Sequence, residues 1–553
     1  MSDDRLPYRT WRAPRRRAVK STLGNAGSCW LGITVTLVLG SAILALPGNA
    51  ADIGSLSGLT FPLEILGVSL AACLLPSRVF PIFRIAVTVL LALILFLKLA
   101  DIGTGLAFQR PFNPYLDLKI LMDGWNLLSG SIGRVEAAAV VASTLAIWLL
   151  IAVSLYRSLA SFRKLPSAVS NVLAVTMSIG LLAGASISSM GGLRLPVSAD
   201  MAPYLANRAS MIRQSVADLT AFEQEIRSDP LRDLPVDGRF SSLNGKDVVV
   251  IFIESYGRSA VEHANYADRV RARLQEMERS ISSVGLEARS GWLTSPTVAG
   301  LSWLAHGALL SGLWTDNQGR YDRMVASQRP TLNALFRDAG WHTSAVMPAI
   351  TMDWPASNYF GYDTVRDAAG LGYRGKPFNW VTMPDQYTLA AFERLDRPPG
   401  HPPIMAEIAL ISSHAPWTPV PTLVDWESVG DGRIFDSQTE SGDPPSVVWS
   451  DPARVRGQYL ASIDHVLEML ASYIPRHSSN TLFIVLGDHQ PAAIVTGEGA
   501  SRDVPMHIIG PPALLDQISD WGWSSGMIPS TELPPLRMDL FREKFVRSFS
   551  DFE

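Results

Sequence analysis

Glu254, Ser302, Asp488 and His489 are the residues whose types and settings point to chemistry. Two carboxylates, an imidazole and a hydroxyl make a mixed oxygen and nitrogen donor set for a divalent ion. An ion held there lowers the pKa of the hydroxyl and turns Ser302 into a nucleophile. The expected metal ligands are therefore Glu254, Ser302, Asp488 and His489, with Ser302 also catalytic. The expected cofactor is one divalent ion; Zn²⁺, Mn²⁺ and Mg²⁺ all tolerate such ligands.

The elements that must position these residues are short apolar runs. Glu254 ends the run Asp247–Glu254, and Asp488-His489 follow Thr481–Gly487. Runs this short and rich in Val and Ile read as parallel strands buried on both faces. Ligands of open α/β sheets sit outside the carboxyl ends of the strands, so both runs aim their last residues at one place. Further strands are expected at Gly285–Leu293, Thr343–Pro348, Ile404–Ser412 and Val504–Ile509. Helical patterns at His263–Ser283, Thr331–Ala339 and Val455–Tyr473 fall between them. This alternation predicts an α/β domain over 246–553, a mainly parallel sheet sandwiched by helices. Asp425–Pro445, rich in Asp, Gly and Ser, reads as a surface loop.

Each candidate has a plain alternative. Glu254 alone is equally a solvated acid at a strand end, and Asp488-His489 a turn with a salt bridge. A Ser opening a helix, as Ser302 does in Ser302–Leu310, is most often an N-cap. The same geometry offers free amide groups and the helix dipole to an alkoxide or a phosphate. His414 follows the apolar strand that ends at Ser412 and is a second catalytic candidate only through the family resemblance given below, which implies a His there able to hold a phosphate or protonate a leaving group; a structural His is its plain alternative. His306, one turn beyond Ser302, is a weaker candidate. His507, inside a strand, reads as core. Asp353-Trp354 and Asp385-Gln386 are candidates to line a substrate pocket.

The other half of the chain is apolar. The 553 residues are 47% hydrophobic, and the division falls near residue 190. Five apolar stretches precede it: Trp30–Leu46, Leu59–Leu75, Ile85–Ala100, Val135–Tyr156 and Ser167–Met190. Their number predicts a transmembrane domain of five helices over 30–190, behind a cytoplasmic segment 1–29. The loop 101–134 reads either as an interfacial helix or as a loop packed on the soluble domain. Residues 191–245 read as a connector with a helix near Ala206–Arg227. Arg and Lys crowd the first 20 residues and recur at Arg78, Arg84, Arg157, Arg163 and Lys164, whereas the loop Pro47–Gly58 has none. This places the N-terminus in the cytoplasm and, after five crossings, the second half outside. Both cysteines, Cys29 and Cys73, lie in the apolar half, so the outer half holds together without disulfides. No basic run beyond the N-terminus points to nucleic acid.

The second half resembles the sulfatase-like branch of the alkaline phosphatase superfamily. Leu309-Leu310-Ser311-Gly312 matches that family's closing motif, and the family's nucleophile stands nine residues before its Ser or Thr, at Ser302. Glu254 and Asp488-His489 match the family's acidic ligand and late Asp-His pair. The resemblance spans about residues 246–512. Five spans followed by such a domain is similar to the layout of lipoteichoic acid synthases and phosphoethanolamine transferases. Gly487-Asp488-His489-Gln490-Pro491 looks nearer the phosphoglycerol-transferring group.

The resemblance implies a multi-pass protein of a bacterial inner membrane with its catalytic domain on the periplasmic side. It implies transfer of a phosphoglycerol-type head group from a membrane phospholipid, through a covalent phospho-enzyme, to an envelope glycan or glycolipid. The alternatives are a phosphoethanolamine transferase, a phosphodiester or sulfate-ester hydrolase, and a non-catalytic envelope assembly protein. Leu304 and His306 stand where formylglycine sulfatases have Pro and Arg, which counts against sulfate esters. The domain lacks the disulfides usual in phosphoethanolamine transferases. Lipoteichoic acid synthases use Thr, which makes Thr297 the rival nucleophile, though its spacing to the closing motif is wrong by five.

Overall fold

The computed structural model describes residues 19–48, 60–118, 124, 125, 129, 133–189 and 197–552. The chain divides into two compact units, Met1–Gly105 with Ile132–Ser210, and Leu106–Ser131 with Met211–Glu553.

The first unit is helical: α1 Val19–Ala45, α2 Glu64–Leu74, α3 Phe80–Phe108, α4 Arg134–Leu159 and α5 Ser167–Ser189, with α6 Met201–Arg227 beginning at its end. Among the described residues four helices are long and apolar enough to cross a membrane, within α1, α3, α4 and α5. This corrects the expectation of five. The stretch Leu59–Leu75 yields only the 11-residue α2, roughly 16 Å long at the α-helical rise, against a hydrocarbon core of about 30 Å. Two prolines explain the shortening. Pro62 is held in a two-residue strand against Val197–Ser198, and Leu75 is extended ahead of Pro76 (ψ 142°), the conformation a following proline imposes.

The chain nevertheless passes five times between two ends of this unit. At one end the buried Lys98 donates to Leu44 O (2.6 Å) and Leu46 O (2.5 Å), and Glu64 accepts from Met201 N. At the other end Arg163 lies over Phe80 and Arg84 over Tyr156. Residues 61–79, including α2, therefore make the second pass.

The second unit is built on a nine-stranded sheet. Its strands are β1 Asp247–Ile253, β2 Glu287–Thr294, β3 His342–Met347, β4 Thr364–Asp367, β5 Ile404–Leu410, β6 Thr481–Gly487, β7 Asp503–Gly510, β8 Ser524–Ser525 and β9 Leu536–Arg537. The order is β8-β2-β7-β6-β1-β5-β3-β4, with β9 beside β2. Strands β6, β1, β5, β3 and β4 are parallel, β7 is antiparallel to both its neighbours, and the sheet is mixed.

Burial on both faces accounts for the unbroken apolar runs. Val249, Ile251 and Ile253 enter one core with α7 Ala267–Ser282 and α10 Pro452–Arg476. Val248, Val250 and Phe252 enter the other with α8 Ser302–Ser311. A further helix, α9 Asp385–Leu395, packs with the first core.

In the loop 101–134, Phe112 and Asn113 are buried and Asn113 Nδ2 donates to Ser215 Oγ (2.8 Å). Residues 119–123, 126–128 and 130–132 of that loop, Met190 at the end of the last apolar stretch, and 191–196 of the expected connector lie outside the described residues.

Candidate active site

Register alone brings the site together. Ile253 on β1 is abreast of Gly487 on β6 and of Leu410 on β5. The three central strands thus stop at one edge, and Glu254, Asp488-His489 and Ser412–His414 follow them. Gly487 is required there: a Cβ at this position would lie 1.8 Å from Tyr256 O.

Glu254, Asp488 and His489 are buried, and each offers a ligand atom within 4.8 Å of the others. His489 Nε2 is 3.3 Å from Glu254 Oε1 and 3.6 Å from Asp488 Oδ2. The partners of these groups fix their aim. His489 Nδ1–H donates to Gln490 O (2.9 Å), which turns Nε2 toward the acids. Asp488 Oδ1 accepts from Ser255 N (2.8 Å) and His489 N (2.6 Å). Ser413 Oγ donates to Glu254 O and Ser295 Oγ to Asp488 O, both at 2.6 Å. Two anionic oxygen donors and one imidazole, oriented from behind, fit a divalent ion.

Ser302 completes the cluster. Its Oγ donates to Glu254 Oε2 (3.1 Å) and lies 3.2 Å from His489 Nε2. It is not an N-cap: the cap is Leu301, with no side-chain cap bond, and Ser302 is the first helical residue. Ala299, Gly300 and Leu301 all have positive φ (60°, 141° and 61°). Strain of this kind at two non-glycine residues persists only where the surroundings over-determine it, and it gathers at functional sites. Here Ala299 N donates to Gln490 O (2.8 Å), and Thr297 Oγ1 donates to Gly300 O (2.7 Å). Thr297 is thereby committed to the loop, while Ser302 faces the acids.

The electrostatics follow from burial and proximity. Burial opposes ionisation of Glu254, but His489 and then His414 hold its carboxyl well below the usual range. Burial and the Glu254 charge push Asp488 up to about 7. Burial works against a charged His489, yet Asp488 and Glu254 raise it to about 9. The imidazolium thus stands in for a cation between two acids.

His414 is partly buried at the lip, with Nδ1 2.5 Å from Ala415 O and its ring stacked on Trp380 (centroids 4.0 Å apart). Beneath its loop, Asp385 accepts from Ile411 N (2.7 Å) and Ser412 N (3.1 Å). Burial still raises Asp385 to about 7. Gln386 is likewise spent on the backbone of Val424. The pair Asp385-Gln386 therefore supports the rim and does not line a pocket; Asp353 is exposed.

His306 bonds Glu407 through Nδ1 (2.6 Å) and stacks on Phe252 (3.7 Å between centroids). Tyr362 Oη donates to the other Glu407 oxygen. His507 is core, hydrogen-bonded to Ser290 and Tyr256 and lowered by burial to about 3. Trp380 and Glu407 escaped the sequence reading. A lone acid inside the apolar run Ile404–Leu410 was a usable signal, since such an acid demands a buried partner.

Residues 246–511 match the Sulfatase family model. Over these residues the chain is similar to that family. No curated protein matches the chain in sequence.

Among solved structures, the lipoteichoic acid synthase LtaP from Listeria monocytogenes is 13% identical, with a TM-score of 0.35 over 52% of this chain and 71% of that one. The phosphoglycerol transferase GacH from Streptococcus pyogenes, in complex with sn-glycerol-1-phosphate, is 12% identical (TM-score 0.36, 61% and 81%). The soluble domain of lipooligosaccharide phosphoethanolamine transferase A from Neisseria meningitidis is also 12% identical (TM-score 0.35, 55% and 88%). None of these overlaps is large enough to transfer an activity.

Proposed function

We propose that this protein is a membrane-anchored phosphotransferase. It would move a phospholipid head group, of the phosphoglycerol type, through phospho-Ser302 to an envelope glycan or lipid-linked acceptor. The observation that carries the reading is the Ser302 hydroxyl held against both Glu254 Oε2 and His489 Nε2. The match of residues 246–511 to the Sulfatase family model supports ester chemistry at this site, and the four apolar helices support a lipid donor.

Glu254, Asp488, His489 and Ser302 would hold one divalent ion, whose charge would favour the Ser302 alkoxide and screen phosphoryl oxygens. Ser302 Oγ then attacks phosphorus. The Oγ–P bond forms as the bond from phosphorus to the diacylglycerol oxygen breaks, and His414 protonates that oxygen. In the second step His414 takes the proton of an acceptor hydroxyl. The acceptor O–P bond forms and Ser302 is released as the alkoxide. Two displacements of this kind give ping-pong kinetics.

On this reading five chain passes, behind a basic N-terminal segment inside, would leave the catalytic domain on the outer face of the inner membrane. The test is release of diacylglycerol from phosphatidylglycerol by the full chain in proteoliposomes. Release that requires a divalent ion supports the proposal; a metal-loaded protein that releases none from phosphatidylglycerol or phosphatidylethanolamine refutes it.

A further inference from the structure

At the end of the helical unit where α3 begins and α4 finishes, the chain gathers cations with no acid to pair them among the described residues. Arg78, Arg84, Arg157, Arg163 and Lys164 belong to the segments that meet there, and neither 65–100 nor 137–199 contains a single Asp or Glu. Two of these cations are built into the fold. The Arg84 guanidinium lies 3.6 Å from the centre of the Tyr156 ring, and that of Arg163 lies 4.6 Å from the Phe80 ring. Phe80 and Arg84 are one turn apart on α3, and Tyr156 and Arg163 face them from α4 and the 3₁₀ turn Ala160–Lys164 that follows it. The two contacts interlock, each helix giving one ring and one cation.

Stacking immobilises these side chains without neutralising them. Arg84 Nε and Arg163 Nε and Nη2 are buried without a hydrogen-bond partner, and no carboxylate pairs with either residue among the described residues. Buried, unmatched guanidinium donors are costly, and planar, pre-oriented guanidinium forks suit phosphate oxygens. Both residues stay partly exposed, so the rest of each fork can be reached. The neighbouring Ile82 and Ile85 are 70% and 53% exposed, as side chains turned toward lipid would be. We infer that Arg84 and Arg163, held on Tyr156 and Phe80, form a binding site for the phosphate of an anionic phospholipid.

This site rests on the membrane reading of the helices but not on the chemistry at Ser302. It lies at the opposite end of the helical unit from Lys98 and Glu64. A head group bound there would fix α3 against α4.

The full chain, purified in detergent and treated with EDTA so that no ion sits among the acids, is titrated with phosphatidylglycerol, phosphatidylcholine or inorganic phosphate. Occupancy is read by native mass spectrometry. Phosphatidylglycerol should be retained and phosphatidylcholine should not. Arg84→Gln with Arg163→Gln should lower retention roughly tenfold, while Arg157→Gln, which is not held on a ring, should leave it unchanged. Phe80→Leu with Tyr156→Leu keeps both charges, should also lower retention, and decides the matter if the arginine variant does not fold. Equal retention of the two lipids, or retention unaffected by both double variants, overturns the inference. Preferential capture of inorganic phosphate overturns the lipid assignment.

Discussion

Ser302 Oγ lies 3.1 Å from Glu254 Oε2, although 48 residues separate them. The contact joins the first residue of a helix to the residue that follows a central strand. Removing the nucleophile should therefore be far more damaging than removing the nearby Thr297. Ser302→Ala should reduce head-group transfer by about 10³-fold or more. Thr297→Ala should fold, retain the metal and lose only a modest part of the activity through a loosened loop. Steady-state diacylglycerol release by the two variants checks this.

Metal uptake should release a proton. His489 is raised to about 9, so at neutral pH its imidazole carries a proton that a ligand nitrogen cannot keep. Calorimetry of ion binding at pH 7.5 in buffers of different ionisation enthalpy should show net proton release, declining as pH rises beyond about 9. Glu254→Gln and Asp488→Asn should each weaken ion binding at least tenfold.

The ion-free protein should lose stability as pH rises. A histidine raised from 6.5 to about 9 contributes stability that is complete below pH 6.5 and lost as pH passes through 9. Asp488 and Asp385, raised from 3.8 to about 7, bind more protons folded than unfolded. Stability then falls between those values as pH increases. All three act in one direction. The melting temperature of the EDTA-treated protein should be lower at pH 9 than at pH 6, and a bound divalent ion should narrow the gap. Asp385→Asn should flatten the part of the slope below pH 7.

His414 should be separable from the metal site. With Nδ1 against Ala415 O, its Nε2 is left for the leaving oxygen. His414→Asn should lower kcat by roughly 10²-fold or more while leaving ion affinity within about a factor of two of wild type. Equal losses of ion binding and activity would instead make it a support for Glu254.

Much of this arrangement was legible in the residues. Val and Ile runs ending in Glu254 and Gly487 gave the central strands and their common edge, because burial on both faces leaves no other pattern. The spacing from Ser302 to Leu309-Leu310-Ser311-Gly312 marked the helix that carries the hydroxyl. The 3₁₀ turns and the short strands β4, β8 and β9 were not legible, since two to four residues hold no periodicity. Nor was the shortening of α2, which depends on Pro62 being captured by Val197–Ser198 far along the chain. Glu407 and His306 find each other only through tertiary packing, although the acid in an apolar strand announced that a partner must exist.

Transfer by this route requires a covalent phospho-enzyme at Ser302. The direct test is intact-mass spectrometry of the detergent-purified chain, incubated with phosphatidylglycerol and a divalent ion before acceptor is added. The expected result is a glycerophosphate adduct in wild type, mapped to Ser302 by peptide fragmentation and absent from Ser302→Ala. An adduct that persists in Ser302→Ala, or none in a metal-loaded wild-type protein that still releases diacylglycerol, would contradict it.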